Sequence, residues 1–199
     1  MMLKVCGLRD QANIQAVAAL APDFVGFIFH EVSPRYVRDL SPAFVRSIVG
    51  PKKVGVFVKQ STQEIVDCMN QYGLDLAQLH GDQSAEMVNG LVAQGIAVIK
   101  VFRVKDELPN EVNRFKAATY FLFDTLSDQY GGTGHTFDWA ILKPIDHPFL
   151  LSGGIDLERI SEVKKLNHPF LVGVDVNSRF ETARGIKDIE KIKQLKEAL

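Results

Sequence analysis

Residues 149–178 read FLLSGGIDLERISEVKKLNHPFLVGVDVNS, and this stretch decides how the rest of the chain is interpreted. Two short apolar runs each end in a loop of small and polar residues, and a charged helical segment joins them. A strand, a helix and a second strand in this order form a unit of a parallel sheet. The two loops, Ser152-Gly-Gly154 and Asp175-Val-Asn-Ser178, therefore lie at the same edge of that sheet.

Phosphate binding is the function that this pair of loops favours. Glycine leaves backbone N–H groups unhindered, and the second loop adds further amides and a hydroxyl group. A Gly-Gly turn by itself more often serves only as a tight strand-to-helix turn. In a parallel α/β barrel, however, the loops after the last two strands commonly form the phosphate pocket. The predicted phosphate-binding residues are Ser152, Gly153, Gly154, Asp175, Asn177 and Ser178.

The same alternation of strand and helix extends over the whole chain. Apolar, β-rich runs recur at a spacing of roughly 25 residues, and no linker interrupts them. Eight strands are predicted, at residues 2–6, 24–29, 53–58, 74–79, 96–102, 120–123, 149–151 and 170–174. With right-handed crossovers they predict an α/β protein, a single (β/α)8 TIM barrel domain over residues 1–199. An open doubly wound sheet has the same period and is the alternative.

The segments between the strands are predicted to be helical, and two of them differ from the rest. Residues 106–116 would form a helix although Pro109 lies inside its first turns. The loop 125–135 contains Gly131-Gly-Thr-Gly134 but lacks the G-x-G-x-x-G order of a dinucleotide site. It is predicted to be a flexible lid, followed by a short helix that Thr136 caps.

Composition excludes several function classes. The 23 Lys and Arg residues balance 24 Asp and Glu residues without forming a basic block, so neither nucleic acid nor an anionic membrane is an expected partner. No apolar run approaches the ~20 residues of a membrane span and no signal segment is recognised, so the cytoplasm is the expected location. The two cysteines and five histidines lack the spacing of metal ligands, so no metal site is predicted.

The active face of a barrel lies at the carboxyl ends of its strands. Besides the phosphate loops, the residues predicted there are Cys6, Arg9, Arg35, Lys59, His80, Asp82, Arg103 and Asp124. Cys6, His80, Asp82, Asp124 and Asp175 are the side chains among them that exchange protons readily.

Each of these candidates has a structural and a functional interpretation. Cys6 is either an inert buried thiol or a partly exposed base, whereas Cys68 lies on the inner face of a helix and is expected to be inert. Asp124 ends an apolar strand, so it suits either a cap or an acid with a raised pKa. No carboxylate partner is identifiable for His80, which favours a structural hydrogen bond. Arg35 is either a solvated cation or a carboxylate clamp.

Motifs spread over the whole chain carry a resemblance. They are Lys4-Val-Cys-Gly7, Val25-Gly-Phe-Ile-Phe29, Ser33-Pro-Arg-Tyr-Val37, Gln78-Leu-His-Gly81, Phe123-Asp-Thr125, Gly131-Gly-Thr-Gly134 with Thr136-Phe-Asp-Trp139, Leu151-Ser-Gly-Gly-Ile155 and Gly173-Val-Asp-Val176. Together they resemble the phosphoribosylanthranilate isomerase family of tryptophan biosynthesis. The resemblance implies a cofactor-free Amadori rearrangement of N-(5-phosphoribosyl)anthranilate, a small phosphosugar, to 1-(2-carboxyphenylamino)-1-deoxyribulose 5-phosphate.

The resemblance also implies roles for single residues. Cys6 would be the general base, Asp124 the general acid, and Arg35 the contact for the anthranilate carboxylate, with His80 as a second substrate-binding candidate. The phosphate would lie among Gly153, Gly154, Asp175 and Ser178. Two positions depart from the family pattern. His135 stands where lysine is frequent, and Asn177-Ser-Arg179 replaces Ser-Ser-Gly.

Two other functions stay open at this point. Another phosphosugar aldose–ketose isomerase would use a pair of aspartates, which Cys6 at the first strand disfavours. A barrel that only binds a phosphorylated metabolite is the non-catalytic alternative, because a fold never guarantees an activity. The oligomeric state is expected to be a monomer or a homodimer.

Overall fold

Eight parallel strands, each hydrogen-bonded to the next, close into a barrel in the order β1 to β8. The strands are β1 Met2–Val5, β2 Phe24–Ile28, β3 Lys52–Phe57, β4 Leu76–Leu79, β5 Ala97–Val104, β6 Tyr120–Thr125, β7 Phe149–Leu151 and β8 Leu171–Val176. The computed structural model describes residues 1–37, 39–125 and 138–199. Because β1 pairs with β8, with Lys4 opposite Asp175, the predicted (β/α)8 barrel is confirmed and the open doubly wound sheet is excluded.

Helices and short 3-10 turns cover the outside of the barrel. The helices are α1 Gln11–Ala19, α2 Pro42–Ser47, α3 Thr62–Tyr72, α4 Ala85–Ala93, α5 Ile160–Lys165 and α6 Ile189–Ala198. Side chains of Asp10, Ser41, Ser61, Ser84 and Asp188 cap five of them by accepting backbone N–H groups of the first turn. In the part of the chain that the structure describes, no helix is long and apolar enough to cross a membrane.

Two connections differ from the predicted helices. After β5 the structure has only the 3-10 turn Val112–Phe115, so the helix predicted over residues 106–116 is wrong for most of its length. Pro109 lacks a backbone N–H and disfavours a helical residue before it, which prevents the first turns. The predicted lid and the Thr136 cap lie outside the described residues. The 3-10 turn Trp139–Leu142 follows them, with the Asp138 side chain as its cap.

After β8 the chain forms an unpredicted antiparallel hairpin. The 3-10 turn Ser178–Phe180 leads into β9 Glu181–Ala183, which pairs with β10 Ile186–Lys187 before α6 begins. This hairpin lies at the same end of the barrel as the two predicted phosphate loops, because it directly continues the loop after β8.

The barrel interior changes from apolar to polar along the strands. An apolar cluster fills its amino-terminal part and consists of Phe24, Val54, Leu76, Ile99, Val101, Leu122 and Leu150. Buried polar side chains follow towards the carboxyl ends, among them Lys4, Gln78 and Asp175. Because inward positions repeat every second residue, Cys6 follows Lys4 on β1 and His80 follows Gln78 on β4. The polar layer therefore lies directly beneath the predicted active face.

Candidate active site

A cavity of about 210 Å³ opens at the carboxyl ends of the strands. Its lining consists of Cys6, Ile28, Val56, Gln78, His80, Asp124, Ser152, Gly153, Gly154, Ile155, Asp175, Val176, Asn177, Ser178 and Arg179. The structure thus brings Cys6, His80 and Asp124 together with all the predicted phosphate-binding residues around one cavity. The lining does not include the other candidates at the strand ends, which are Arg9, Arg35, Lys59, Asp82 and Arg103. A larger cavity of about 510 Å³ adjoins it at His80, between the ends of β4 and β5, but its lining includes neither Cys6 nor Asp124. The smaller cavity is the candidate active site.

Cys6 follows β1 directly and is only 5% exposed, so the expected partial exposure is wrong. Its backbone N–H donates to the Val176 carbonyl at 2.9 Å, which ties it to β8. Gly26 on β2 leaves the room that the thiol occupies, because a Cβ atom there would lie 2.8 Å from Cys6 Sγ. Burial raises the pKa of the Cys6 thiol, and the Lys4 charge is the strongest effect that opposes this rise.

Lys4 and Asp175 form an ion pair beneath Cys6. Lys4 Nζ donates to Asp175 Oδ1 at 2.8 Å, and the lysine side chain is fully buried. Burial acts against the lysine charge, but Asp175 and Cys6 together leave the pKa of Lys4 above its ordinary value. In the sequence, Lys4 stands out only as the first residue of the motif Lys4-Val-Cys-Gly7. Its position two residues before Cys6, inside an apolar strand, is the signal that indicates an inward lysine.

Asp124 lies at the end of β6 with about a quarter of its side chain exposed. Burial, followed by the charge of Asp175, raises the pKa of Asp124 to about 6, while Arg103 opposes the rise. A carboxyl group with this pKa holds a proton in a useful fraction of molecules near neutral pH. It therefore suits a general acid.

His80 faces Asp124 across the cavity, with its Nε2 atom 3.7 Å from Asp124 Oδ2. A carboxylate neighbour therefore exists, contrary to the interpretation made from the sequence. Burial, followed by the charge of Arg103, lowers the pKa of His80 to about 4, so the ring is neutral at pH 7. Gln78 Nε2 lies 3.4 Å from His80 Nδ1. If the amide donates there, the remaining ring proton resides on Nε2 and faces Asp124.

The turn after β7 requires glycine at two consecutive positions. Gly153 has φ of +80° and Gly154 φ of +68°, values that L-residues other than glycine rarely adopt. A Cβ atom on Gly153 would lie 2.6 Å from the Thr125 nitrogen, so the turn packs tightly against the end of β6. The assignment of this turn to phosphate agrees with the geometry and stays a prediction.

The loop after β8 uses its polar side chains for contacts within the protein. Asp175 accepts from Lys4 and, at 3.4 Å, from the Ser152 hydroxyl. Asn177 Oδ1 accepts from Lys187 Nζ at 2.7 Å. A carboxylate repels phosphate, so a contribution of Asp175 to phosphate binding would have to come from its backbone. Ser178 begins the 3-10 turn at the cavity wall and keeps its predicted position beside the glycine turn.

Arg35 stands beside the cavity and is held by a residue that the sequence did not single out. Its Nε and Nη2 atoms donate to Glu181 Oε1 and Oε2 at 2.8 and 2.6 Å. A Cβ atom on Gly7 would lie 2.7 Å from both Arg35 Cδ and Asn177 Oδ1, which places the arginine next to the cavity lining. Glu181 occupies one edge of the guanidinium, and the edge formed by Nη1 and Nη2 points away from it.

Glu181 itself is buried and takes further hydrogen bonds. Lys187 Nζ donates to Glu181 Oε1 at 2.7 Å, and the backbone N–H of Gly185 donates to the same oxygen at 3.1 Å. Burial acts against its charge, but the hydrogen bonds from Arg35 and Lys187 hold the pKa of Glu181 below its usual value. No sequence pattern points to this network, because its members come together only in the hairpin of β9 and β10.

Within residues 1–37, 39–125 and 138–199, no three His, Cys, Asp or Glu side chains are grouped as metal ligands would be. The cavity offers a carboxyl group and a thiol that can each exchange a proton with a bound molecule. Both groups line one space beside the glycine turn after β7.

Comparison with known proteins agrees with this geometry. A sequence model of the family described as N-(5'phosphoribosyl)anthranilate (PRA) isomerase matches residues 3–198. A relative from Parabacteroides distasonis, named N-(5'-phosphoribosyl)anthranilate isomerase, is 42% identical to this chain, and the match covers 97% of this chain and 90% of the relative.

Solved structures give the same result. Phosphoribosyl anthranilate isomerase from Thermotoga maritima is 31% identical and superposes with a TM-score of 0.84 over 100% of this chain and 98% of that one. A second structure shows monomers generated from the dimeric Thermotoga maritima enzyme, with a TM-score of 0.80, 28% identity and coverage of 100% and 97%. A third, at 29% identity and TM-score 0.78, covers 98% of this chain and 95% of its own and is a complex with reduced 1-(o-carboxyphenylamino)-1-deoxyribulose 5-phosphate. This chain belongs to the N-(5'-phosphoribosyl)anthranilate isomerase family.

Proposed function

We propose that this chain catalyses the Amadori rearrangement of N-(5'-phosphoribosyl)anthranilate in tryptophan biosynthesis. The observation that carries the proposal is the pairing of Asp124, whose pKa is raised to about 6, with the Cys6 thiol at one cavity beside a glycine turn. Membership of the family supports the same reaction.

The substrate is bound at its two charged ends. Its phosphate lies at the turn of Gly153 and Gly154, where backbone N–H groups and the Ser178 hydroxyl donate hydrogen bonds. Its anthranilate carboxylate binds the edge of Arg35 that Glu181 leaves open.

Catalysis needs one acid and one base. Asp124 donates a proton to the furanose ring oxygen as the bond from C1 to that oxygen breaks, and the aniline nitrogen stabilises the resulting Schiff base. The Cys6 thiolate then removes the proton from C2, which gives an enolamine. C1 gains a proton and the C2 hydroxyl loses one as the ketone forms. The reaction is thus balanced without a cofactor or a redox partner.

Catalysis requires a protonated Asp124 and an ionised Cys6, which is the reverse of the state that predominates at pH 7. At pH 7 most molecules hold an ionised Asp124 and a protonated Cys6, since the pKa of the acid is about 6 and burial raises the pKa of the thiol. The active form, with the proton on Asp124 and the charge on Cys6, is a minor fraction. Groups that stabilise the thiolate therefore bear directly on the rate.

Turnover of the phosphosugar itself tests the proposal. The loss of substrate fluorescence is measured for wild type, Cys6→Ser, Asp124→Asn and the control Cys68→Ser. We expect several orders of magnitude lower kcat for the two cavity variants and unchanged kcat for the control, since Cys68 lies on α3 away from the cavity. A folded wild type that binds the product analogue without turnover would favour the non-catalytic barrel. Turnover of a different aminoaldose in preference would favour another aldose–ketose isomerase.

The assembly and location of the enzyme are also proposals. A monomer or a homodimer is proposed, and the dimeric Thermotoga maritima enzyme supports the latter. Light scattering on the purified protein measures the molar mass that decides between them. A biosynthetic role on a small phosphosugar supports the cytoplasm as the location, with neither nucleic acid nor a membrane as a partner.

A further inference from the structure

The fully buried Lys4 is the feature that the proposed chemistry leaves unexplained. Its side chain has no solvent exposure and lies in the barrel interior beneath the cavity. A buried ammonium is costly unless it is paired and hydrogen-bonded. Asp175 takes one of its three N–H donors, at 2.8 Å, and two donors remain for other groups nearby.

Lys4 and Cys6 converge on the same point of the barrel. They are two residues apart on β1, so both side chains point inward. A Cβ atom on Gly26 would lie 3.2 Å from Lys4 Nζ and 2.8 Å from Cys6 Sγ. Since both distances are measured to one point, the ammonium and the sulfur are no more than 6.0 Å apart. A glycine on β2 provides the space in which they meet.

We propose that Lys4 is a positioning residue for the reaction: anchored by Asp175, its ammonium serves as the counter-ion and hydrogen-bond donor of the Cys6 thiolate. The proposal rests on the role of Cys6 as general base in the proposed function. Lys4 touches neither substrate nor reacting atoms and acts through Cys6.

Three other charged groups act on or respond to Cys6. Asp175 on β8 disfavours the thiolate, whereas Lys187 on β10 favours it less strongly than Lys4 does. Arg35, in the loop after β2, also responds to the charge of Cys6. Lys187 and Arg35 share the carboxylate of Glu181, which offsets their charge. Lys4 therefore differs from both in that its ammonium shares the space beside Gly26 with the sulfur, and its charge is the strongest that favours the thiolate.

The ionisation of Cys6 can be measured without turnover. The rate of Cys6 alkylation by iodoacetamide is followed by mass spectrometry as a function of pH, in a Cys68→Ser background. For Lys4→Met, which keeps the length of the side chain and removes the charge, we expect the midpoint of this profile to rise by one pH unit or more. At pH 7 alkylation should slow about tenfold, because the thiolate fraction falls tenfold per unit.

Turnover should change in parallel. We expect kcat at pH 7 to fall by about tenfold or more in Lys4→Met with a small change in KM. The difference from wild type should narrow only above the pKa of the wild-type thiol, where wild-type activity begins to fall. The matched control is Lys100→Met, another buried lysine, whose Nζ donates to the Gly81 carbonyl outside the active cavity. Its alkylation profile should match that of wild type.

A second variant keeps the test valid if Lys4→Met does not fold. Lys4→Met with Asp175→Asn removes both buried charges together, which folds tolerate better than one unpaired charge. Because Lys4 affects Cys6 more strongly than Asp175 does, the alkylation midpoint should still rise, by less than in the single variant.

The outcomes separate this proposal from the proposed function. An unchanged alkylation profile in a folded Lys4 variant overturns the role of Lys4, whatever the activity. Full activity of Cys6→Ser overturns the role of Cys6 as base and with it the catalytic meaning of Lys4. A raised alkylation midpoint together with lower kcat in an enzyme that needs Cys6 supports both.

Discussion

Asp124 shows how burial, together with a neighbouring carboxylate, raises the pKa of a carboxyl group into the range that suits an acid catalyst. It follows four apolar residues of β6, and it faces a neutral histidine rather than a cation. Water is scarce around it and Asp175 adds negative charge, so the proton is retained to about pH 6. The acid limb of the activity profile and one contribution to the pH dependence of stability follow from this pKa.

Activity should be bell-shaped in pH, with its acid limb at the pKa of Asp124. Below about pH 6 the acid is fully protonated and the thiolate fraction falls tenfold per unit, so kcat/KM falls. Between pH 6 and the raised pKa of Cys6 the two effects cancel, and above it the loss of the acid dominates. Stopped-assay kcat/KM values from pH 4.5 to 10 measure the profile.

A variant that shifts the pKa of Asp124 tests whether this residue causes the acid limb of the activity profile. Arg103 holds the pKa of Asp124 down, so Arg103→Met should shift the limb to higher pH. Arg114→Met, at an exposed site outside the active cavity, should not. The phosphate of the substrate also titrates near pH 6, but its contribution is the same for both enzymes. An acid limb that stays in place in Arg103→Met would assign it to the substrate instead.

Asp124→Asn should stabilise the fold above neutral pH. A raised pKa means that the folded state binds the proton more tightly than the unfolded state, so this stability is present below pH 3.8 and is lost as the pH rises through about 6. Removing the charge should raise the free energy of unfolding by on the order of 1–3 kcal/mol at pH 7.5 and by almost nothing at pH 4. Urea unfolding at the two pH values measures this difference. The control is Glu197→Gln, because Glu197 is an exposed residue of α6. An equal gain in stability at both pH values would contradict the raised pKa of Asp124 as its cause.

At the level of elements, the hairpin of β9 and β10 serves as a support for the loop after β2. Glu181 on β9 holds two atoms of the Arg35 guanidinium, and Lys187 on β10 holds Glu181. The arginine is therefore oriented before a substrate arrives, which lowers the entropy that binding would otherwise cost. A loop arginine without this support would be a flexible cation.

Arg35→Ala should weaken substrate binding by about 1.5–3 kcal/mol, the range of a lost charge-assisted hydrogen bond. Arg35→Lys should recover only part, because lysine lacks the second edge that reaches the carboxylate while Glu181 holds the first. Steady-state kinetics should show the loss mainly in KM.

The variant Glu181→Gln separates the orientation of Arg35, which Glu181 provides, from the charge of Arg35 itself. It keeps one oxygen and the length of the side chain, so KM should rise less than in Arg35→Ala while kcat stays near wild type. A kcat/KM equal to wild type in Arg35→Ala would remove this arginine from the site, and equal effects of the two variants would assign the whole effect to Glu181.

In the barrel as a whole, the proposed phosphate site would join the last strands to the rest of the fold. Its turn after β7 packs on Thr125 of β6, and β8 closes the barrel against β1. A ligand that bridges these loops binds the folded chain and not the unfolded one, so it stabilises the entire barrel.

Inorganic phosphate should therefore raise the Tm in proportion to the logarithm of its concentration, and it should compete with substrate. Gly153→Ala should abolish both effects, because the new Cβ would lie 2.6 Å from the Thr125 nitrogen at a φ of +80°. The control is Gly90→Ala on α4, where a Cβ meets no atom within 4 Å and alanine favours the helix. Thermal melts with and without phosphate measure the difference. An unchanged phosphate response in a folded Gly153→Ala protein would place the anion elsewhere.

The barrel can be predicted from the sequence, and so can the residues that line the candidate cavity at the strand ends. The period of apolar runs predicts eight strands, because an apolar run with turn residues at both ends is a local property of the chain. Cys6, Asp124 and the Gly153-Gly154 turn are found for the same reason, since each directly ends a predicted strand. Residues 106–116 are the exception. A helix is predicted there in spite of Pro109, but the structure has a single 3-10 turn.

Only the tertiary structure decided which charges meet. Lys4 and Asp175 are 171 residues apart in the chain, and Arg35 and Glu181 are 146 apart, so these pairs exist because the barrel closes and the last hairpin folds back on it. The pKa values depend on the same closure. Asp124 gains and His80 loses proton affinity through burial and neighbours that no local pattern encodes. Desolvation and Coulomb interactions act through space, which is why the sequence points to Asp124 and Cys6 as candidates but not to the buried Lys4 on β1.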